Sequence, residues 1–233
     1  MKYDASRYDD RYTELRAAGK SGWTDEESPN FAVHLADLRE TLAAPWCPDC
    51  GRALEAGCGA GNWSCILADM GFDVTGVDYS LIAIEWAQAK AKQRPADAPG
   101  SIAFVRHNAT DLEFLGKDFF DFVLDGFLLH SLIGEDRQTY LHQVRRVLKP
   151  KGVFMVQSFC AEDVSASEWE GWNIDPVTRL QHDENGVVMK YIGNCEGLLA
   201  ELRQAGFEVL RHKISPVCGG MLVAACRQVQ SCL

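Results

Sequence analysis

Three glycines at alternate positions, Gly57, Gly59 and Gly61, follow a short apolar run at residues 53–56 that only Glu55 interrupts. Glycine admits positive φ and lets the backbone approach a ligand where a Cβ would collide. A helical pattern begins directly after, at residues 63–70. Strand, glycine loop and helix start together form a cradle for a nucleotide-like ligand, because the first amides of a helix point at whatever lies before them. The dinucleotide fingerprint G-x-G-x-x-G is not met, since the position of its third glycine holds Asn62. Roughly 20 residues beyond the loop, Asp78 closes a second apolar stretch, where an acid can accept hydrogen bonds from both hydroxyls of a ribose. The same Asp78 could instead cap the helix that Ser80 opens. Tyr79, next to it, is placed to lie against an adenine face.

A candidate for proton chemistry comes later. Residues 120–125 form a strong strand pattern that runs on through Gly126, Phe127, Leu128 and Leu129 to His130. Ligands of an open parallel α/β sheet sit beyond the carboxyl ends of its strands. Residues 125–130 should therefore border the reactive end of a bound molecule, and His130 either contacts an acceptor or takes its proton, or is a lone structural histidine. In the N-terminal segment, which also holds Tyr3 and Arg11, Tyr8, Tyr12 and Leu15 share one helix face. That face is either packed on the domain or serves as a lid, with phenols giving rigid amphipathic contact. Trp23, before an acidic loop, anchors the segment or joins the site.

The elements that must carry these residues alternate. Ser28-Pro29 opens a helix, with Phe31, Leu35, Leu38 and Leu42 as its apolar stripe. Strands follow at residues 53–56, 73–78, 102–106, 120–125 and 153–158, and a Lys149-Pro-Lys-Gly152 turn precedes the last. Helical patterns lie at 63–70, after Ser80, from Asp136-Arg137, and at 195–205. Residues 160–185, with Trp169 and Trp172, break the alternation and read as a substrate-covering insertion or a surface excursion. Residues 207–214 and 221–226 read as a closing antiparallel hairpin. The chain divides into an N-terminal helical cap, residues 1–45, and one globular domain, residues 46–233.

Composition narrows the field. The chain has 233 residues, 47% hydrophobic, enough for one α/β domain with a sizeable core. The formal net charge of −10, without an obvious basic stripe, argues against a nucleic-acid partner. No apolar run approaches the ~20 residues of a membrane helix. Residues 1–20 lack a signal-peptide core, so a cytoplasmic protein is expected. Nine cysteines, an odd number, argue for reduced thiols. Cys47-Pro-Asp-Cys50 lacks the second ligand pair that zinc wants, and no metal is expected; a redox pair, loop cysteines or soft-metal binding remain readings of it. The oligomeric state is not readable.

The run Glu55-Ala-Gly-Cys-Gly-Ala-Gly61, with Asp78, Asp111, Asp125, Leu148-Lys-Pro-Lys-Gly152 and Ala205-Gly-Phe207, resembles the class I S-adenosylmethionine (SAM)-dependent methyltransferases. The resemblance spans residues 50–227. It implies a doubly wound, seven-stranded, mostly parallel sheet with one antiparallel edge strand and helices on both faces. It implies SAM as cofactor and S-adenosylhomocysteine as product. The cofactor residues it implies are Trp23, Glu55, Gly57, Cys58, Gly59, Gly61, Asp78, Tyr79, Thr110, Asp111, Asp125 and Gly126, with Asp111 on the adenine amino group. His130, Tyr8 and Tyr12 are the catalytic candidates. Trp23 and the Arg52-Ala-Leu-Glu55 start are similar to the thiopurine, thiol and halide methyltransferases, which points to a soft acceptor such as a thiol or sulfide. An O- or N-methyltransferase of a metabolite is the alternative; a nicotinamide oxidoreductase and a non-catalytic SAM-binding protein are more remote. The Asn/Asp-Pro-Pro-Tyr/Phe motif of nucleic-acid and protein N-methyltransferases is replaced by Asp125-Gly-Phe-Leu128.

Overall fold

A computed structural model describes residues 5–229; Tyr3 and Cys232 lie outside the described residues. Among the described residues, six α-helices and nine strands occur in the order α1 (Ala5–Ala17), α2 (Pro29–Leu42), β1 (Gly51–Ala56), α3 (Asn62–Asp69), β2 (Phe72–Asp78), α4 (Leu81–Ala91), β3 (Ile102–Arg106), β4 (Phe120–Asp125), α5 (Glu135–Val147), β5 (Leu148–Phe159), β6 (Leu180–His182), β7 (Val188–Tyr191), α6 (Cys195–Gln204), β8 (Phe207–Ser215) and β9 (Met221–Gln228). Seven strands form one sheet in the order β3-β2-β1-β4-β5-β9-β8. β9 runs antiparallel to both neighbours and sits one place in from the edge, between β5 and β8.

Alternation along each strand sends successive side chains to opposite faces. Leu54 and Ala56 of β1 join α5 and α6 through Tyr140, Leu141, Val144, Leu198 and Leu202. Ala53 faces the other way, into a layer with Phe31 and Leu38 of α2 and Trp63 and Leu67 of α3. The expected caps are present. Ser28 accepts from Asn30 N–H with Pro29 at the first helical position, and Ser80 Oγ accepts from Ala83 N–H at 3.1 Å. The reversal of strand order around β1 and β4 leaves a crevice at their carboxyl ends, where ligands bind in such sheets.

Two segments differ in detail from the sequence reading. The Lys-Pro-Lys-Gly stretch lies within β5: pairing jumps from Phe120↔Leu148 to Phe122↔Val153, so residues 149–152 bulge out opposite Asp121. The Asp121 carboxylate stabilises the bulge, accepting from Lys149 Nζ at 2.8 and 2.9 Å and from Arg52 N–H at 3.0 Å. The insertion after β5 ends in a β6–β7 hairpin, with its own small core of Ala161, Val164, Trp169 and Ile192.

Candidate active site

The crevice opens into a cavity of about 760 Å³. One side is the glycine loop and the end of β2, with Gly57, Asp78 and Tyr79; the end of β3 adds His107, Asn108 and Ala109. The other side is Gly126 to Leu132, excepting Leu129, with Phe159, Trp172, Met189 and Lys190. A smaller annex of about 50 Å³ shares Tyr12, Trp23, Gly57 and Phe127 with it and reaches Glu55, Cys58 and Gly59.

The loop is held in shape by Asp78. Its Oδ2 accepts from Gly59 N–H at 2.8 Å and its Oδ1 from Ser80 N–H at 2.9 Å. Burial raises its pKa against those two bonds. Asp78 thus fixes the loop, borders the cavity, and still has lone pairs to offer. Gly59 has φ +49°, and a Cβ there would lie 2.5 Å from Tyr12 Oη. Gly61 faces neither cavity nor annex. A Cβ on it would meet Ala87 Cβ and Phe104 Cζ, both at 2.8 Å, so this glycine lets α3 pack closely on α4 and β3.

Glu55 sits under the loop, fully buried. Ser64 Oγ donates to its Oε2, while Oε1 has no hydrogen-bond partner among the described residues. Burial pushes its carboxyl up to about 8. A buried acid beside a small annex, one oxygen unpaired, fits the ammonium of a methionine tail. SAM has such an ammonium at one end and an adenosine at the other, and Asp78 stands where the sugar of that adenosine would lie in the same crevice. The residues present therefore fit SAM.

α1 forms part of the roof. Tyr12 and Leu15 pack against Ala60, Ala83 and Trp86, and Asp9 Oδ1 accepts from Ser80 Oγ and from Ile82 N–H at the start of α4. Tyr8 and Tyr12 also border the cavity, so the helix is both packed and covering. Trp23, 48% exposed, crosses Tyr12 edge-on at 5.7 Å between ring centres and borders both cavity and annex. Arg7 joins α1 to the hairpin by pairing with Asp183 at 3.0 Å.

Two expected cofactor acids point elsewhere. Asp125 is fully buried, and its oxygens accept from Leu128 N–H (2.9 Å), Leu129 N–H (3.0 Å) and Tyr140 Oη (2.9 Å). It shapes the chain after β4 and does not reach the cavity; burial raises its carboxyl to about 7. Asp111 is exposed and takes only a local bond from Glu113 N–H, at 3.4 Å, and Thr110 N–H is tied to Asn108 Oδ1. Neither Thr110 nor Asp111 borders the cavity; Asn108 and Ala109 do.

His130 lies on a 3₁₀ turn, Leu129–Ser131, and borders the cavity. Its ring centre is 4.4 Å from that of Phe159, which crosses Trp172 at 5.0 Å. Trp169 is buried in the insertion's own core, whereas Trp172 borders the cavity. Arg137 holds the turn: Nη1 donates to Leu129 O and to Leu132 O, while Nε and Nη2 bind Glu201 at 2.8 and 2.6 Å. His34, which the sequence reading passed over, borders the same cavity from α2, 4.7 Å from the Phe127 ring. Phe127 itself has φ +63°, a costly conformation for a non-glycine residue, held here at the cavity wall. Among the described residues, Nδ1 of both histidines is buried without a hydrogen-bond partner, which leaves Nε2 as the nitrogen the cavity can reach. Burial lowers His34 to about 4 and His130 well below the usual range, the latter helped by Lys190 and Arg137. Both imidazoles are neutral at neutral pH.

A seven-stranded sheet of this order, with a glycine cradle after β1 and an acid closing β2, defines the class I methyltransferase fold. A family model for the methyltransferase domain matches residues 54–156. An uncharacterized methyltransferase of Synechocystis sp. is 33% identical over 172 residues, 73% of this chain and 72% of its own length. The O-methyltransferase resE of Aspergillus sclerotiorum is 27% identical over 231 residues, 90% of this chain and 79% of its own. Among solved structures, the 1,6-didemethyltoxoflavin-N1-methyltransferase of Burkholderia thailandensis, bound to 1,6-didemethyltoxoflavin and S-adenosylhomocysteine, matches with a TM-score of 0.71 at 24% identity, over 97% of this chain and 87% of that one. The chain belongs to the SAM-dependent methyltransferases. It is an enzyme whose methyl donor is SAM. Among the described residues no helix is long and apolar enough to cross a membrane.

Proposed function

We propose that this enzyme methylates a hydroxyl group of a small, planar acceptor, with His130 receiving the hydroxyl proton. The observation that carries this is the pair of neutral imidazoles, His34 and His130, that border one aromatic-walled cavity with Nε2 as the accessible nitrogen. A thiol, with pKa near 8.5, needs little help to react. A phenol, with pKa near 10, arrives protonated and needs a base. The soft-acceptor preference rested on a short stretch around Trp23 and Arg52. The cavity favours the oxygen acceptor, and the relative from Aspergillus sclerotiorum is named an O-methyltransferase.

SAM supplies a methyl on a sulfonium, an electrophile already activated. Glu55 receives the ammonium end, the Gly57–Gly59 loop with Cys58 lies along the tail, and Asp78 and Tyr79 take the sugar and base. Tyr8, Tyr12 and Trp23 cover the crevice and exclude water, which strengthens every polar contact inside. Phe127, Phe159 and Trp172 sandwich the acceptor and hold its oxygen on line, the alignment that lowers such barriers most. As the acceptor oxygen gains its methyl it must lose its proton, and His130 Nε2 takes it. A weakly basic imidazole suffices, because an oxygen carrying both a proton and a new methyl is strongly acidic.

The test is a panel of phenols, enols, amines and thiols incubated with methyl-labelled SAM. Label on oxygen acceptors is expected; label on thiols with none on phenols would overturn the oxygen reading. The aromatic-walled cavity and the net charge of −10 also favour a small molecule over a nucleic acid as partner.

A further inference from the structure

Among the described residues, one cation on the cavity wall has nothing to pair it. Three basic side chains stand on or beside its wall. Lys20 is paired with Asp25 at 2.9 Å, and Arg7 with Asp183 at 3.0 Å. Lys190, on β7, borders the cavity and is half-buried, yet among the described residues it has neither a hydrogen bond nor an ion pair. Burial and the nearby Arg7 both lower its pKa, so the fold works against its charge rather than for it. A partly buried ammonium without a counter-charge is destabilising unless a ligand supplies one. β7 packs on the 3₁₀ turn that carries His130, and the Lys190 charge is felt at that imidazole. Lys190 therefore belongs to the acceptor side of the cavity, with His130, Phe159 and Trp172, and not to the annex beneath the glycine loop.

We propose that Lys190 selects an anionic acceptor: the molecule that receives the methyl carries an oxyanion, a carboxylate foremost, which seats on the Lys190 ammonium while its ring lies against Phe159 and Trp172. This rests on the methyl-acceptor reading of the same cavity. The geometry gives the acceptor three fixed points: charge at Lys190, an aromatic face at Phe159 and Trp172, and the reacting hydroxyl at His130. One face of the cavity then reads a charge and another removes a proton, so a hydroxy-acid fits where a simple phenol engages only part of the wall. The hydroxyl proton still leaves through His130 Nε2, and the carboxylate takes no part in the bond changes.

The experiment uses the full chain saturated with S-adenosylhomocysteine and matched probes: 3,4-dihydroxybenzoate, 4-hydroxybenzoate and salicylate, each beside its methyl ester. Binding is followed by calorimetry for wild type, Lys190→Met and Lys190→Arg, and methyl transfer by product mass. At least one acid should bind tenfold or more tighter than its ester to wild type. Lys190→Met should erase that preference and Lys190→Arg retain most of it, with S-adenosylhomocysteine affinity alike in all three. Equal binding of acids and esters to wild type, no binding of any acid at millimolar concentration, or an undiminished preference in Lys190→Met overturns the proposal. A loss of S-adenosylhomocysteine affinity in Lys190→Met also overturns it, since the lysine would then serve the cofactor. Failure of the underlying reading looks different: acids bound through Lys190 but never methylated. Neutral phenols methylated as fast as acids would leave that reading standing and remove this one.

Discussion

The Tyr12 hydroxyl stands directly over Gly59: a Cβ on that glycine would lie 2.5 Å from Tyr12 Oη. The roof and the floor of the cofactor crevice therefore meet at a point where only a hydrogen fits. Gly59→Ala adds a methyl to this contact and forces an L side chain to φ +49°. Expected is a stability loss of about 1–3 kcal/mol and at least a tenfold loss of S-adenosylhomocysteine affinity. Melting and calorimetry check both, and Gly71→Ala, which meets nothing within 4 Å, controls for backbone strain alone.

Glu55 should give up its proton when the cofactor arrives. Its carboxyl lies at about 8 in the free protein, so it is mostly protonated at pH 7. An ammonium beside it favours the ionised form. Binding of S-adenosylhomocysteine at pH 6–7 should release close to one proton, and affinity should rise with pH over that range. Calorimetry in two buffers of different ionisation enthalpy measures the release. Glu55→Gln should abolish it and weaken binding by about 1.5–3 kcal/mol, the worth of a charged hydrogen bond.

The buried His34 should cost the fold stability in acid. Its folded value of about 4 lies below the unfolded value near 6.5. A depressed group gives stability above the unfolded pKa that is lost as pH falls through the folded one. From pH 7 to pH 4, wild type should lose on the order of 3 kcal/mol more than His34→Phe. Denaturant melts at the two pH values measure the difference. Equal losses would mean the imidazole titrates normally.

Much of this arrangement was open to reading in the chain, and the exceptions share one cause. Strands β1, β2 and β4 announced themselves because they are largely buried, giving short apolar runs ended by Gly57, Asp78 and Asp125, whereas β3 at the sheet edge is only half-buried and β5 runs on into Cys160. The caps at Ser28 and Ser80 and the chain reversal at Gly206 were equally plain, being local chemistry. Spacing told where Asp111, Asp125 and Gly61 fall along the chain, but not which way they turn. Asp125 turns inward because Tyr140, fifteen residues on, donates to it. Gly61 is spent on Ala87 and Phe104. His34 and Lys190 are poorly legible in the chain because cavity walls are assembled from segments distant in sequence. The one local sign was a histidine one turn beyond Phe31, inside an otherwise apolar stripe.

Arg137 should act on catalysis only through position. It ties the Leu129–Ser131 turn to Glu201 and lies over the Tyr191 ring at 4.7 Å, so it sets the place of His130 without touching the cavity. Arg137→Leu leaves Glu201 unpaired, and the expected cost is up to about 3 kcal/mol, below the full buried-pair range because Glu201 keeps some solvent. The turnover number should fall while S-adenosylhomocysteine affinity holds, and Arg137→Lys should restore part of it. Loss of cofactor affinity along with turnover would mean a general structural collapse instead.

The role of His130 is tested most directly by acceptor acidity. At pH 8, methyl transfer by wild type and His130→Ala is compared across ring-substituted phenols whose pKa falls from about 10 to about 7. With His130 as the proton acceptor, the variant should lose about a hundredfold or more in turnover on the weakest acid and progressively less on phenols that arrive ionised. A loss of the same size on every phenol, or no loss on any, would contradict proton removal by His130.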